Sequence, residues 1–107
     1  MNNVSLIGCI SSDLEVKQLP NGTEVLSFDV AYNFKRGEEW KADFFPCVAW
    51  KGTALTISKH FKKGERIAIV GRLQNRSYDD TNKVKHVITE IHIESFSFIE
   101  KKEKEVE

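Results

Sequence analysis

Val4, Leu6, Gly8 and Ile10 alternate with Ser5, Ile7 and Cys9, a period-two pattern with apolar residues on both faces that predicts a buried first strand. Leu19-Pro20-Asn21-Gly22 carries the Asn-Gly pair favoured where a tight turn needs positive φ, so the segments on either side are expected to form a hairpin. The returning strand starts near Glu24. Leu26, Phe28, Val30, Tyr32 and Phe34 share one parity while Ser27, Asp29 and Asn33 take the other, which assigns an apolar face to the core at least as far as Tyr32. Lys35-Arg36-Gly37-Glu38-Glu39 reads as a charged turn. Ala42 to Lys51 reads as a third strand, in which Pro46 cannot donate a ladder hydrogen bond and must lie at an edge, a bulge or an outward-facing gap.

From Gly52 to Lys63 the period lengthens. Ala54, Ile57, Ser58 and Phe61 fall at helical spacing, Thr53 is placed to cap the start, and Gly64 after Lys62-Lys63 is a stop signal. Ile67, Ile69, Gly71 and Leu73 then alternate with Arg66, Ala68, Val70, Arg72, Gln74 and Arg76 in a long fourth strand whose first set claims the core. Asp79-Asp80-Thr81-Asn82 makes a polar turn, and Val84 to Ile99 is a fifth strand region bent or bulged around Glu94-Ser95. Three strands, one helix and two strands joined by short turns is the order of an all-β, five-stranded OB-fold barrel with its helix between strands 3 and 4. One domain is expected over residues 1–100, and the alternating charges of Lys101 to Glu107 read as a short frayed tail.

Composition narrows the class further. With 40% hydrophobic and 30% charged residues in 107, the chain has the apolar surface for one core and not for two. No apolar run reaches membrane-spanning length, and the residues after Met1 lack the basic start and apolar stretch of a signal peptide, so a cytoplasmic protein is expected. The net charge is +0, yet ten Lys/Arg stand against four Asp/Glu between Lys35 and Arg76, a local excess of six that permits one basic face.

Catalysis finds no support in the spacing. His60, His86 and His92 are not in ligand spacing with one another or with Cys9 and Cys47, so neither a metal nor a cofactor site is indicated. His60 suits the helix C-terminus, and both cysteines read as reduced core thiols. Ser11-Ser12-Asp13 and the scattered carboxylates match no nucleophile elbow or paired-acid motif. Binding an unpaired nucleic-acid strand asks instead for aromatic faces on which bases stack and cations that follow phosphates. Phe44 and Trp50 have equal parity, with Lys51 beside Trp50, although a bulge at Pro46 would break that inference and the apolar Val48 and Ala49 allow Trp50 either face. Arg66, Arg72, Gln74, Arg76 and Tyr78 share the parity opposite to the apolar set of the fourth strand. Phe28 and Phe61 are assigned to the core, and Phe96 and Phe98 to barrel closure or a subunit interface.

The runs Asn3-Val4-Ser5-Leu6-Ile7-Gly8, Asp13 to Lys17, Leu19 to Gly22, Ala42 to Trp50, Phe61 to Gly64 and Gly71 to Tyr78 together resemble the bacterial and phage single-stranded DNA-binding protein family, in order and spacing over residues 2–99. By that resemblance Phe44, Trp50 and Tyr78 occupy DNA-stacking positions, Lys17, Arg72 and Arg76 are basic contacts, Lys62 and Lys63 are further ones, and either Phe34 or Trp40 supplies another stacking residue. The resemblance also implies a homotetramer with Phe45 where subunits meet, and a role in protecting exposed DNA in replication, recombination or repair. An OB-fold adaptor using the aromatic patch for protein assembly is the alternative. Family members commonly continue into a polar linker and an acidic tip ending in Pro-Phe that recruits replication and repair proteins. This chain reaches Lys101 to Glu107 without that pattern, so recruitment by that route is not carried over. Lys101 to Glu107 holds as many Glu as Lys and no aromatic, so deleting it is expected to change oligonucleotide affinity little, as a titration against the full chain would measure.

Overall fold

Strand pairing that returns on itself removes all but short edges, and this chain reaches that state with five strands. The computed structural model describes residues 1–99, so the tail Lys101 to Glu107 lies outside the described residues. The elements are β1 (Val4–Ile10), β2 (Lys17–Gln18), β3 (Glu24–Arg36), β4 (Glu39–Trp50), α1 (Lys51–His60), β5 (Arg66–Asp79) and β6 (Lys85–Phe98). Neighbours run β1-β5-β6-β4-β3, and β3 pairs back onto β1 through Cys9↔Ala31 and Ile10↔Val30. The barrel is therefore closed and the OB-type order holds. The two-residue β2 is an addition, pairing with the start of β3 as the arm of the Asn-Gly hairpin. Gly22 there has φ +89° and donates its N–H to the Leu19 carbonyl at 2.7 Å.

Inside lie Ile10, Leu26, Phe28, Val30, Cys47, Ala49, Ile67, Ile69, Ile91 and Ile93, joined by Ala54, Ile57 and Phe61 from α1 and the residue after it. Each buried Leu, Ile or Phe contributes roughly 1.5–3 kcal/mol relative to exposure. Burial pushes the Cys47 thiol up to about 12, with Asp29 adding to the rise, so this core cysteine is inert.

Several expectations change. α1 starts at Lys51, its N-cap is the extended Trp50 and no side chain caps it, so Thr53 lies three residues too late to act as the cap. It ends at His60, with Lys59 and His60 in its last turn as the dipole favours, while Lys62-Lys63 and Gly64 belong to the following turn. Cys9 is half-buried and not a core thiol. Tyr32, Leu73 and Ile7 are 44%, 47% and 49% exposed, so apolar parity runs past the end of the core in β3 and β5 and turns outward in β1. The reason is strand length. β1 has 7 residues whereas β3, β4, β5 and β6 have 13, 12, 14 and 14, so the surplus extends beyond the barrel as two-stranded arms. The charged turn shrinks accordingly to Gly37-Glu38, with Arg36 facing Glu39 and Gly37 at φ +63°. The bulge expected near Glu94 is present: Val70 pairs with Ser95 but Gly71 with Ile93, leaving Glu94 as the extra residue.

Two glycines make the closure possible. A Cβ on Gly8 would sit 2.5 Å from the Ala31 carbonyl oxygen, and one on Gly71 would meet the His92 carbonyl oxygen at the bulge. Gly8→Ala and Gly71→Ala are each expected to destabilise the fold by about 1–3 kcal/mol through forced backbone shifts. Gly52→Ala, which points into open space on α1, should be neutral or stabilising. Thermal midpoints of the three variants check this ordering.

Candidate nucleic-acid interface

Residues that face each other across paired strands project from the same side of a sheet, so the registers alone assemble the outer face. Pairing of β3 with β4 is continuous from Val25↔Trp50 to Arg36↔Glu39, so Pro46 makes no bulge and the shared parity of Phe44 and Trp50 survives. Pro46 instead precedes the short parallel pairing of β4 with β6, in a gap of the ladder. Lys17 faces Val25, and Val25 faces Trp50. Ser27, Val48, His92 and Arg72 form the next row across four strands. Up the β5–β6 arm the same face continues as Gln74 with Glu90, Arg76 with Ile88 and Tyr78 with His86. Phe44, Tyr78 and Trp50 are 62%, 43% and 36% exposed, so all three rings reach solvent on that face.

A groove of about 370 Å³ runs between the barrel and the root of the β5–β6 arm, lined by Trp50, Gln74, Arg76, Glu90 and His92 among others. Glu90 is its electrostatic centre, because among the described residues it is the one charged side chain that is almost fully buried. Arg76 donates to Glu90 Oε2 from Nε at 3.1 Å and from Nη2 at 2.9 Å, and His92 Nε2 stands 3.4 Å from Oε1. The hydrogen bond with Glu90, reinforced by its charge, raises the Arg76 pKa further above its ordinary value. The His92 ring lies 6.1 Å from that of Trp50. Arg72 is looser, donating to Gln74 Oε1 at 2.6 Å with Glu94 3.8 Å from its Nε. At the arm tip Tyr78 stacks on His86 at 5.2 Å, and His86 Nε2 meets Asp80 Oδ2 at 2.8 Å. That contact first, then the backbone N–H of Val84, holds the Asp80 carboxyl below its usual range. Asp80 therefore favours the folded tip above its unfolded pKa, and the contribution is lost as pH falls through the lowered folded value.

The structure brings Trp50, Arg72, Arg76, Tyr78 and Lys17 to one face, with Phe44 and Trp40 further out along β4 and Lys51 at the corner where β4 enters α1. Lys51 has φ +56°, an uncommon conformation for a residue with a side chain. Phe34 faces Lys41 and so lies on the opposite side of the ribbon from Trp40 and Phe44, stacked on Tyr32 at 6.2 Å. Lys62 and Lys63 precede β5 and sit beyond Arg66, which is itself on the order of 20 Å along the strand from Arg72. Phe45 is half-buried and packs against the barrel core. Phe96 also packs there, whereas Phe98 is exposed and stacks on Phe61 at 4.7 Å. Glu90, His92 and His86 carry no signal of this role in the sequence beyond the lack of ligand spacing between the histidines. Counting β6 back from the Asp79–Lys85 closing pair places all three opposite the Arg/Tyr set. Among the described residues no His/Cys/Asp/Glu group could hold a metal ion, and no helix is long and apolar enough to cross a membrane.

Removing Arg76 leaves the Glu90 carboxylate only its longer contact with His92 at 3.4 Å. A fully buried pair broken in this way loses about 3–5 kcal/mol, and the half-exposed Arg76 side chain reduces that to roughly 1–3 kcal/mol. Arg76→Ala should thus lower the urea midpoint, and adding Glu90→Gln to it should restore most of the loss. Equal midpoints for Arg76→Ala and the parent chain would show that Arg76 does not stabilise the buried Glu90.

The likeness seen in the sequence extends to known proteins. The model of the single-strand binding protein family matches residues 1–99. Single-stranded DNA-binding protein 1 of Streptococcus pyogenes is 39% identical over 96% of this chain and 82% of its own length. Single-stranded DNA-binding protein 3 of Listeria innocua is 38% identical over 96% of this chain and 66% of its own length. Single-stranded DNA-binding protein A of Bacillus subtilis is 35% identical over 95% of this chain, which spans 61% of that relative. With a family match over every described residue and a closed five-stranded barrel carrying its helix in the expected place, the chain belongs to the single-strand binding protein family.

Proposed function

We propose that this protein binds single-stranded DNA without reading its sequence, by stacking bases on aromatic rings and meeting phosphates with Lys and Arg. The observation that carries the reading is the shared exposed face of Phe44, Trp50 and Tyr78, with Arg72, Arg76 and Lys17 alongside. Every base has a π face and every phosphate the same charge, so such a surface accepts any sequence. A duplex keeps its bases inside and reaches only the cations. The function is binding, not catalysis, and it serves replication, recombination or repair in the cytoplasm. Residues 1–100 act as the binding domain. Assembly into a homotetramer belongs to the same reading and is supported by the outer face of β1 and β5, where Ile7 and Val70 are 49% and 42% exposed. Of the two further stacking candidates, Trp40 is favoured because it shares the face of Phe44 and Trp50.

Oligothymidine should quench tryptophan fluorescence, including in a Trp40→Phe variant, and mixed-sequence single strands should outcompete duplex of equal length. Trp50→Ala, Phe44→Ala and Tyr78→Ala should each weaken binding by roughly 1–3 kcal/mol with folding retained. Each neutralised phosphate adds about −0.7 to the slope of log affinity against log salt. Arg72→Ala should make that slope shallower, Arg76→Ala less so because Glu90 already meets its charge, and Tyr78→Ala should leave it nearly unchanged. Equal affinity for duplex and single strand, or a steep preference for one sequence, would sink the reading.

A further inference from the structure

Tyr78 lies near the free end of the β5–β6 arm, where residues 75–79 and 85–87 are exposed and no core packing holds a side chain in place. An unsupported tyrosine in such a position would sample several rotamers, and a base that stacks on it would have to immobilise it. The ring is not unsupported. His86, its direct partner across the hairpin, stacks on it with centroids 5.2 Å apart and planes 22° from parallel, so one face of Tyr78 is backed by a second flat ring. His86 is in turn tied to Asp80 Oδ2 at 2.8 Å, and the other Asp80 oxygen accepts the backbone N–H groups of Asn82 and Val84 at 2.8 and 2.9 Å. The brace is thus anchored in the backbone of the turn. The Arg76 guanidinium stands over the Tyr78 ring 5.9 Å from its centroid, within cation–π range, and adds a second, longer contact to the brace.

We propose that His86 is a positioning residue for single-strand binding: anchored by Asp80, it holds the Tyr78 ring from behind so that the ring offers a base one open face in a fixed orientation. This rests on the single-strand reading above, in which Tyr78 is a stacking platform. Its consequence is a dependence of Tyr78 on His86 that a phosphate contact by His86 would not produce. The part of the affinity that His86 supplies must pass through Tyr78.

A double-mutant cycle on the full chain with a fixed-length oligothymidine at one salt concentration tests this. His86→Ala should weaken binding about two- to tenfold, the effect of freeing one ordered side chain, with an unchanged thermal midpoint. In a Tyr78→Ala background the same change should cause no further loss, whereas in a Trp50→Ala background the loss should recur in full. His86→Phe, which keeps a flat ring, should recover most of the affinity. Unchanged affinity in His86→Ala, or an equal loss with and without Tyr78, overturns the proposal. If the parent chain binds and Tyr78→Ala binds as tightly, the proposal fails while the single-strand reading stands. If the parent chain does not bind the oligonucleotide, both fall.

Discussion

A tight backbone approach, β1 against β3 at Gly8, is the constraint on which the rest is built. There β1 must pair with β5 on one side and cross onto β3 on the other, and only a residue without a Cβ fits beside the Ala31 carbonyl. Because β1 is only 7 residues long, the closed wall is short, and strands nearly twice that length must leave it. The same closure that buries Ile10, Val30 and Ile67 therefore carries Trp40 and Tyr78 beyond the wall into solvent, while Phe44, opposite Ala31 at the wall itself, is exposed by its outward parity. Exposure of these rings is a consequence of the geometry and not a failure of packing. Gly71 serves the matching purpose on the other side, where the bulge at Glu94 lets β6 bend.

On the outer face a line of contacts runs from the barrel to the arm tip. Trp50 meets His92, His92 and Arg76 share Glu90, Arg76 stands near Tyr78, Tyr78 stacks on His86, and His86 bonds Asp80. Glu90 is the pivot. A carboxylate removed from water needs its donors, so burial of this one group orients both a cation and a ring of the groove. The price is charge, since an arginine already paired with a carboxylate gives a phosphate less than a free one would.

Order along the line differs by position. Trp50 stands on a strand that is part of the barrel wall, so its backbone is held by core burial next door at Ala49 and Cys47. Beyond Gln74 the β5–β6 arm has no such support and depends on cross-strand pairs, including Thr89 with Asn75 at 2.6 Å. Segments with few buried contacts open most easily, so the arm tip is the natural place for local devices that keep a ring in register.

Much of this was legible in the chain. Alternation located five strands, Asn-Gly marked a hairpin, the lengthened period after Trp50 marked the helix, and parity alone set Tyr78 with Arg72 and Arg76 and away from Ile67 and Ile69. Parity is a property of a single strand, which is why these readings needed no partner. What parity cannot contain is register and strand overshoot, since both depend on which strands meet and where. Tyr32 and Leu73 carry the same pattern as Val30 and Ile69, and only the height of the closed wall makes the first two exposed and the last two buried. Likewise nothing local distinguishes Glu90 from the other carboxylates. Its role arises because the β5–β6 register sets it opposite Gln74, within reach of Arg76, and because the pairing of Val48 with His92 brings β4 and Trp50 alongside. Strands, their faces and the residue types of the site can be read from the chain, because these follow from local periodicity. Tertiary structure decided which of those residues share a surface and which charges are already spent on one another, because both require distant strands to close into one barrel.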